Sequence, residues 1–248
     1  SQKLNCFIII ATSLIFLTYF IYQPIEQKKY IIATKSYYII SICFWYWVFS
    51  VVTLLRKKRN HFQYVINKDY LIGIITCSIV VILTYISIES GYKVLADETN
   101  IMAVAKSFYF DKTGFNDTMG RWYFDSFYPI LREFPKRPYV YAYLVSNLHS
   151  VLGYSLSNGI LLNCFFMGCI LFFIYLLILF SSNYKYAIVA IIATSSNPII
   201  AICANSCGLD LCFVFFLLTT ILLAYLILIY KDNHLLLRTF LLTSVLLA

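Results

Sequence analysis

Residues 70–98 read YLIGIITCSIVVILTYISIESGYKVLADE. From Tyr70 to Ile88 no side chain is charged. A helix of that length, rising about 1.5 Å per residue, crosses the roughly 30 Å hydrocarbon core of a bilayer. The sequence then turns polar and reaches the pair Asp97-Glu98. This junction opens a polar interval, Glu89 to Arg137, set into an otherwise apolar chain. Seven of the 11 acidic residues (Glu89, Asp97, Glu98, Asp111, Asp117, Asp125, Glu133) lie inside it, so acidic chemistry is concentrated there rather than spread as a solubilising surface.

Outward from that junction the composition says the same. A chain of 248 residues that is 61% hydrophobic and 12% charged, with mean hydropathy +0.80, carries more apolar surface than a water-soluble core of its size can hide. The sequence predicts an integral membrane protein, all-α, a polytopic bundle of transmembrane helices. Candidate spans are Asn5 to Tyr22, Tyr37 to Leu55, Tyr70 to Ile88, Leu156 to Phe180, Ala187 to Ala204, Leu211 to Tyr230, and a further start at Leu235. Long unbroken apolar runs are not the alternating pattern of a membrane barrel, and strands are not expected. The expected division is residues 1–69, a transmembrane hairpin with a basic loop, and residues 70–248, a core with its long outer loop at 89–137. The chain starts without methionine and stops at Ala248 inside an apolar run, and so reads as the N-terminal piece of a longer protein. The eight cysteines avoid the polar interval and read as packing residues, Cys203 and Cys207 included.

The net charge of +8 would suggest nucleic acid in a soluble protein. Here Arg56-Lys57-Lys58-Arg59 directly follows an apolar span and reads as a topology signal, with no nucleic-acid partner. With Lys68 it places the loop between the second and third spans in the cytoplasm, so Tyr70 to Ile88 runs outward and the acidic interval faces outside. Tyr139 to Gly153 is too short and, with Ser146, Asn147, His149 and Ser150, too polar to cross. It is expected as a helix lying at the outer interface, which brings Asp210 out on the same face as Asp97.

Within this frame Asp97 is expected as the N-cap of an amphipathic helix whose apolar face is Ile101, Val104, Ala105 and Phe108. As a carboxylate it could serve as a general base or ligate a divalent ion, or it could only cap. Lys136 and Arg137, between Pro135 and Pro138, suit a phosphate or a lipid headgroup. Asp210, at a helix start in an apolar setting, is a functional candidate or a plain cap. Trp122, Tyr123, Phe124, Phe127 and Tyr128 suit a sugar ring or an interfacial aromatic belt. His149 reads as structural. Asn116-Asp117-Thr118 is a glycosylation sequon.

The order of an outward span, Asp97-Glu98, a helix ending Lys112-Thr113-Gly114, Trp122-Tyr123-Phe124, Lys136-Arg137-Pro138-Tyr139 and Leu152-Gly153-Tyr154-Ser155 resembles the first outer loop of GT-C superfamily glycosyltransferases. The likeness is to the protein O-mannosyltransferases and lipid A aminoarabinose transferases. Their loop reads Asp-Glu, a helix with Gly after it, Tyr-Phe, Lys-Pro-Pro and a Phe-Gly-x-Ser-like turn. Ser195 to Pro198, followed by Asp210, looks like the second acidic position. The resemblance implies a multi-pass glycosyltransferase using a polyprenyl-phosphate sugar donor, with a glycan, lipid or protein as acceptor. Its active site would lie on the extracytoplasmic face of a bacterial inner membrane or its equivalent. It implies Asp97 as the catalytic carboxylate supported by Glu98, Asp210 facing the same cavity, Lys136 or Arg137 on the donor phosphate, and Trp122, Tyr123 and Tyr139 lining the substrate. No cofactor is expected beyond a divalent ion that the carboxylates could ligate. The alternative reading is a transporter or flippase for a lipid-linked or anionic solute.

Overall fold

The computed structural model describes residues 22–57, 68–93, 95–124, 126–229 and 234–247. The expected first span, Asn5 to Tyr22, lies outside the described residues except for Tyr22, and so do Lys58 and Arg59 of the basic run. Nine helices are described: α1 (Ile25–Lys57), α2 (Lys68–Ser87), α3 (Leu95–Phe110), α4 (Tyr139–Leu152), α5 (Ser157–Ser181), α6 (Tyr184–Ser195), α7 (Pro198–Ala204), α8 (Asp210–Ile229) and α9 (His234–Leu247). Between α3 and α4 stand two antiparallel strands, β1 (Asn116–Tyr123) and β2 (Ser126–Glu133). Four helices, α1, α2, α5 and α8, are long and apolar enough to cross a membrane, and a bent pair makes up to five, which is consistent with an integral membrane protein. Large apolar side chains such as Ile82, Ile86, Phe165, Leu177 and Leu228 stand exposed on their flanks, as a lipid-facing surface requires.

α1 is longer than the span Tyr37 to Leu55 predicted. Its 33 residues reach about 50 Å, so its first turns run past the hydrocarbon. There the Ala33 carbonyl accepts from the Gly114 amide at 2.6 Å, and Tyr30 meets Phe115 at 6.2 Å. The segment after α3 is thereby braced. Further along, α1 packs on α9, where the Trp47 indole donates to Thr243 Oγ1 at 2.8 Å.

The expected continuous span Ala187 to Ala204 is broken: α6 and α7 meet at 75°. Pro198 has no N–H to continue the helix, and its ring clashes with the preceding turn. Asn197 caps the new start by accepting from Ile199 N at 3.0 Å. Strands, not expected, form in the polar interval, because Asn116–Tyr123 and Ser126–Glu133 pair through a tight turn between Tyr123 and Ser126.

α4 occupies Tyr139–Leu152 but does not lie free at a boundary. Tyr141 through Ser146 and His149 are buried against α3, α1 and α5, since the small Ala142 and Ser146 admit neighbouring helices closely. His149 is answered locally on its Nδ1 side, while its Nε2 is buried without a hydrogen-bond partner among the described residues. Asn158 Nδ2 donates to His149 Nδ1 at 2.8 Å and to the Gly153 carbonyl at 2.7 Å, which fixes a neutral ring between Tyr109 and Tyr154. Burial pushes the imidazole down to about 4.

At one end of the bundle meet the end of α2, the starts of α3, α5 and α8, and the end of α7. Asn205 Nδ2 donates to the Thr84 carbonyl at 3.1 Å and the Asn205 carbonyl accepts from Gly91 N at 3.1 Å. At the other end Tyr175 of α5 donates to the Asp69 carbonyl at 2.6 Å, with its ring lying directly on Gly73.

Two outcomes follow from this packing. A Cβ at Gly73 would overlap the Tyr175 ring, which is buried and tied by its hydroxyl, so Gly73→Ala should destabilise by about 1–3 kcal/mol, read as a lower thermal midpoint in detergent. His149 has a folded value below its ordinary one, so the unfolded chain takes up a proton that the folded chain refuses. Its contribution is complete above about 6.5 and is lost as pH falls toward about 4. The unfolding midpoint of the wild type should drop across that window more steeply than that of His149→Gln, and equal slopes would contradict the assignment.

Candidate functional site

The site is built at the first turn of α3. Successive helical residues point about 100° apart, so Asp97 and Glu98 face different surroundings. Glu98 turns inward, 3% exposed. It accepts from the Cys207 amide at 3.1 Å and from the Lys93 amide at 3.2 and 3.3 Å to its two oxygens. A buried acid requires such donors, because an unanswered one is costly. The turn between α7 and α8 is held from the other side by Asn163 of α5, whose Nδ2 donates to the Ser206 and Gly208 carbonyls, both at 2.8 Å. That turn delivers Asp210, the first residue of α8. A Cβ at Gly208 would lie 3.2 Å from Asp210 Oδ2 and 4.0 Å from Glu98 Oε1, so the two acids flank one glycine.

Asp97 turns outward and pairs with Arg137. Helix α3 begins at Leu95, so Asp97 stands in the first turn rather than at the cap position expected, still near the positive end of the helix dipole. The hydrogen bond from Arg137 holds the Asp97 carboxyl below the usual carboxylate range. In turn Asp97, with a smaller contribution from Asp210, raises the guanidinium further. Arg137 thus feels both carboxylates, Asp97 by direct contact and Asp210 more weakly. Asp97, Asn100, Asn116, Glu133, Lys136 and Arg137 give the polar part of the wall of a cleft of about 320 Å³, closed below by Ile101, Val104 and Ala142.

The hairpin base is fastened beside this cleft. Arg132 pairs with Asp111 and, at 3.3 Å through Nε, with Asp117. Burial pushes the Asp117 carboxyl up, against the pull of Arg132. The sequence-predicted site residues thus divide. Asp97, Lys136 and Arg137 share the cleft, whereas Glu98 and Asp210, expected to support and face it, are not among the residues that line it. Tyr139 is packed on Phe108 at 5.7 Å and under Gly114, not on the cleft wall. Trp122 and Tyr123 stand on the distal half of the hairpin, away from the cleft. Asn100, Asn163 and Asn205 escaped the sequence reading, and Asn116 entered it only as a sequon. Asn100, three residues after Asp97, shares its helix face, and Asn163 is an amide set among apolar residues in a 25-residue helix; both signals were available.

Among the described residues no group of three His, Cys, Asp or Glu side chains is placed to hold a metal ion. Of the acids at and beside the cleft, Asp97 is engaged by Arg137 and Glu98 by backbone amides. No family model, curated protein or solved structure matches this chain.

The sequon is set inside the fold. Asn116 is 5% exposed and donates through Nδ2 to Asn100 Oδ1 at 3.1 Å, which denies that nitrogen to a glycosylating enzyme. Expressed in a glycosylating eukaryotic host, the folded chain should show no mobility shift on endoglycosidase treatment that Asn116→Gln abolishes.

Proposed function

We propose that this chain is a membrane glycosyltransferase of GT-C type, moving a sugar from a polyprenyl-phosphate donor to an acceptor at the extracytoplasmic face. The observation that carries the reading is the cleft in which Asp97 faces Lys136 and Arg137. An inverting transfer needs a base on one side of the sugar and cations on the other. The acceptor hydroxyl or amine attacks the anomeric carbon while Asp97 takes its proton. The bond from that carbon to the phosphate oxygen breaks, its electron pair leaves with the lipid phosphate, and Lys136 and Arg137 offset the charge. In the resting arrangement Arg137 occupies Asp97 and keeps it a weak base. A phosphate that competes for the guanidinium returns basicity to Asp97 as the donor binds. Glu98 acts as a positioning residue through the Cys207 amide, and Asp210 adds to the field around Arg137.

The distribution of charge supports the sidedness. Arg56, Lys57, Lys68 and Lys185 belong to the helix ends remote from the cleft, as the cytoplasmic ends of spans prefer, while Lys28, Lys29 and Lys35 at the other end of α1 count against it. One observation favours a transporter instead: the helix broken between α6 and α7 leads into the turn bearing Asp210, and interrupted helices line solute paths in transporters. The charges gathered at one end of the bundle, rather than at mid-span, favour the enzyme.

The test is incubation of the purified, reconstituted chain with radiolabelled polyprenyl-phosphate sugars. Asp97→Asn should lower kcat/KM for transfer or donor hydrolysis by about 10²–10⁴-fold, the usual worth of a general base, while insertion and thermal midpoint are kept. Unchanged turnover removes Asp97 from the mechanism. Movement of label across the bilayer without bond cleavage selects the transporter.

A further inference from the structure

The distal half of the β1–β2 hairpin carries large apolar side chains on both faces, and among the described residues they stand largely exposed. Trp122 is 53% exposed and Phe124 98%, with Tyr123, Tyr128 and Ile130 equally open. A two-stranded ribbon is marginal in water by itself, and a ribbon apolar on both faces gains nothing from standing in it. Its apex sharpens the point. Tyr123 pairs directly with Ser126, leaving position 124 in the turn, where Phe124 takes φ 44°. That left-handed conformation suits glycine or asparagine and is unfavourable for a bulky residue. A strained backbone that presents a fully exposed aromatic ring at a loop tip points to a use for the ring.

The surroundings identify that use. Trp122 meets Phe110 edge-on at 5.3 Å, and Phe110 meets Tyr154 at 5.7 Å. Tyr154 stands three residues before the start of α5, a helix apolar and long enough to cross a bilayer. Between them Val151, Leu152 and Leu156 are exposed, Val151 at 80%, and the band runs on into the exposed flank of α5 at Leu161 and Phe165. The aromatic ribbon is therefore continuous with the surface that a lipid bilayer would cover, at the level where such a span would emerge. Tryptophan and tyrosine are the side chains that settle at this depth, with an apolar ring and a polar edge, and the exposed Arg121 beside them suits lipid phosphates.

We infer that the hairpin tip is a membrane-surface anchor that inserts the side chains of Trp122, Tyr123, Phe124 and Tyr128 into the headgroup region of the bilayer. It does so beside the helix ends that carry the cleft. An anchor there would hold the β2–α4 segment, and with it Lys136 and Arg137, at a fixed height above the lipid. The inference stands apart from the transferase reading and does not depend on it.

The test uses the full chain in nanodiscs of phosphatidylcholine and phosphatidylglycerol. Trp45 and Trp47 also fluoresce, so the Trp122 component is taken as the difference between wild type and Trp122→Phe, which keeps an apolar ring. That component should lose intensity when the lipids carry bromine near the headgroup end of their acyl chains. Bromine near the chain termini should affect it much less, and aqueous iodide should be largely excluded. Phe124→Trp adds a second reporter at the apex that should respond in the same way even if Trp122→Phe perturbs the fold. Strong iodide quenching with no effect of brominated lipid would place the hairpin in water and overturn the inference. Protection from both quenchers would overturn it as well, and would assign the surface to a protein, whether an acceptor polypeptide or a second copy of this chain.

Discussion

Glu98 is a carboxyl group held almost entirely out of solvent, and its two oxygens are answered by backbone amides from Lys93 and from Cys207. An acid buried without such partners would cost several kcal/mol. The first turn of α3 and the turn between α7 and α8 are consequently not free to take independent positions. Asn163 and Asn205 repeat the device, binding the same turn to α5 and to the end of α2. Side chains from α3 and α5 thus converge on one short stretch of backbone, which Asn205 ties in turn to α2, and Asp210 follows directly from it. The approach of Asp210 to Glu98 across Gly208 is a consequence of this clamp.

Against that rigid half stands an exchangeable one. The pair of Asp97 with Arg137 is solvent-exposed, and such pairs contribute little to stability because water and salt compete for both partners. What holds Arg137 in place is its chain position between β2 and α4, with Pro135 and Pro138 on either side, more than the ion pair itself. A cation positioned by its backbone but loosely engaged by its carboxylate can change partners at small cost, as a site that admits an anion requires. The hairpin base belongs to the fixed part, through Arg132 and its two aspartates, while the tip projects away with its aromatic load.

Much of the helical frame was legible because hydropathy is a local sum: each apolar run of sufficient length reports a helix whatever lies beside it. The errors came where that sum is the wrong variable. The start of α1 was placed too late because Glu26, Lys28, Lys29 and Lys35 dilute the average, although they stand on turns beyond any hydrocarbon. The break before Pro198 was visible in the sequence and was outweighed by the apolar residues around it. The hairpin was missed because its turn holds Phe124 and Asp125 instead of the asparagine and glycine that announce a tight turn, so its aromatic residues read as an undivided belt.

Composition and order alone determined that the chain is rich in membrane-length helices and that its acids are gathered in one interval, because the cost of moving each residue out of water is a property of that residue and its near neighbours. The tertiary structure decided which acid is buried and which is open, that Asn116 is inside, and that Tyr139 packs rather than lines. Those outcomes rest on hydrogen bonds such as that between Glu98 and Cys207, 109 residues apart in the chain. A side chain's partner at that separation is set by how the helices pack, and no local property of the sequence carries it.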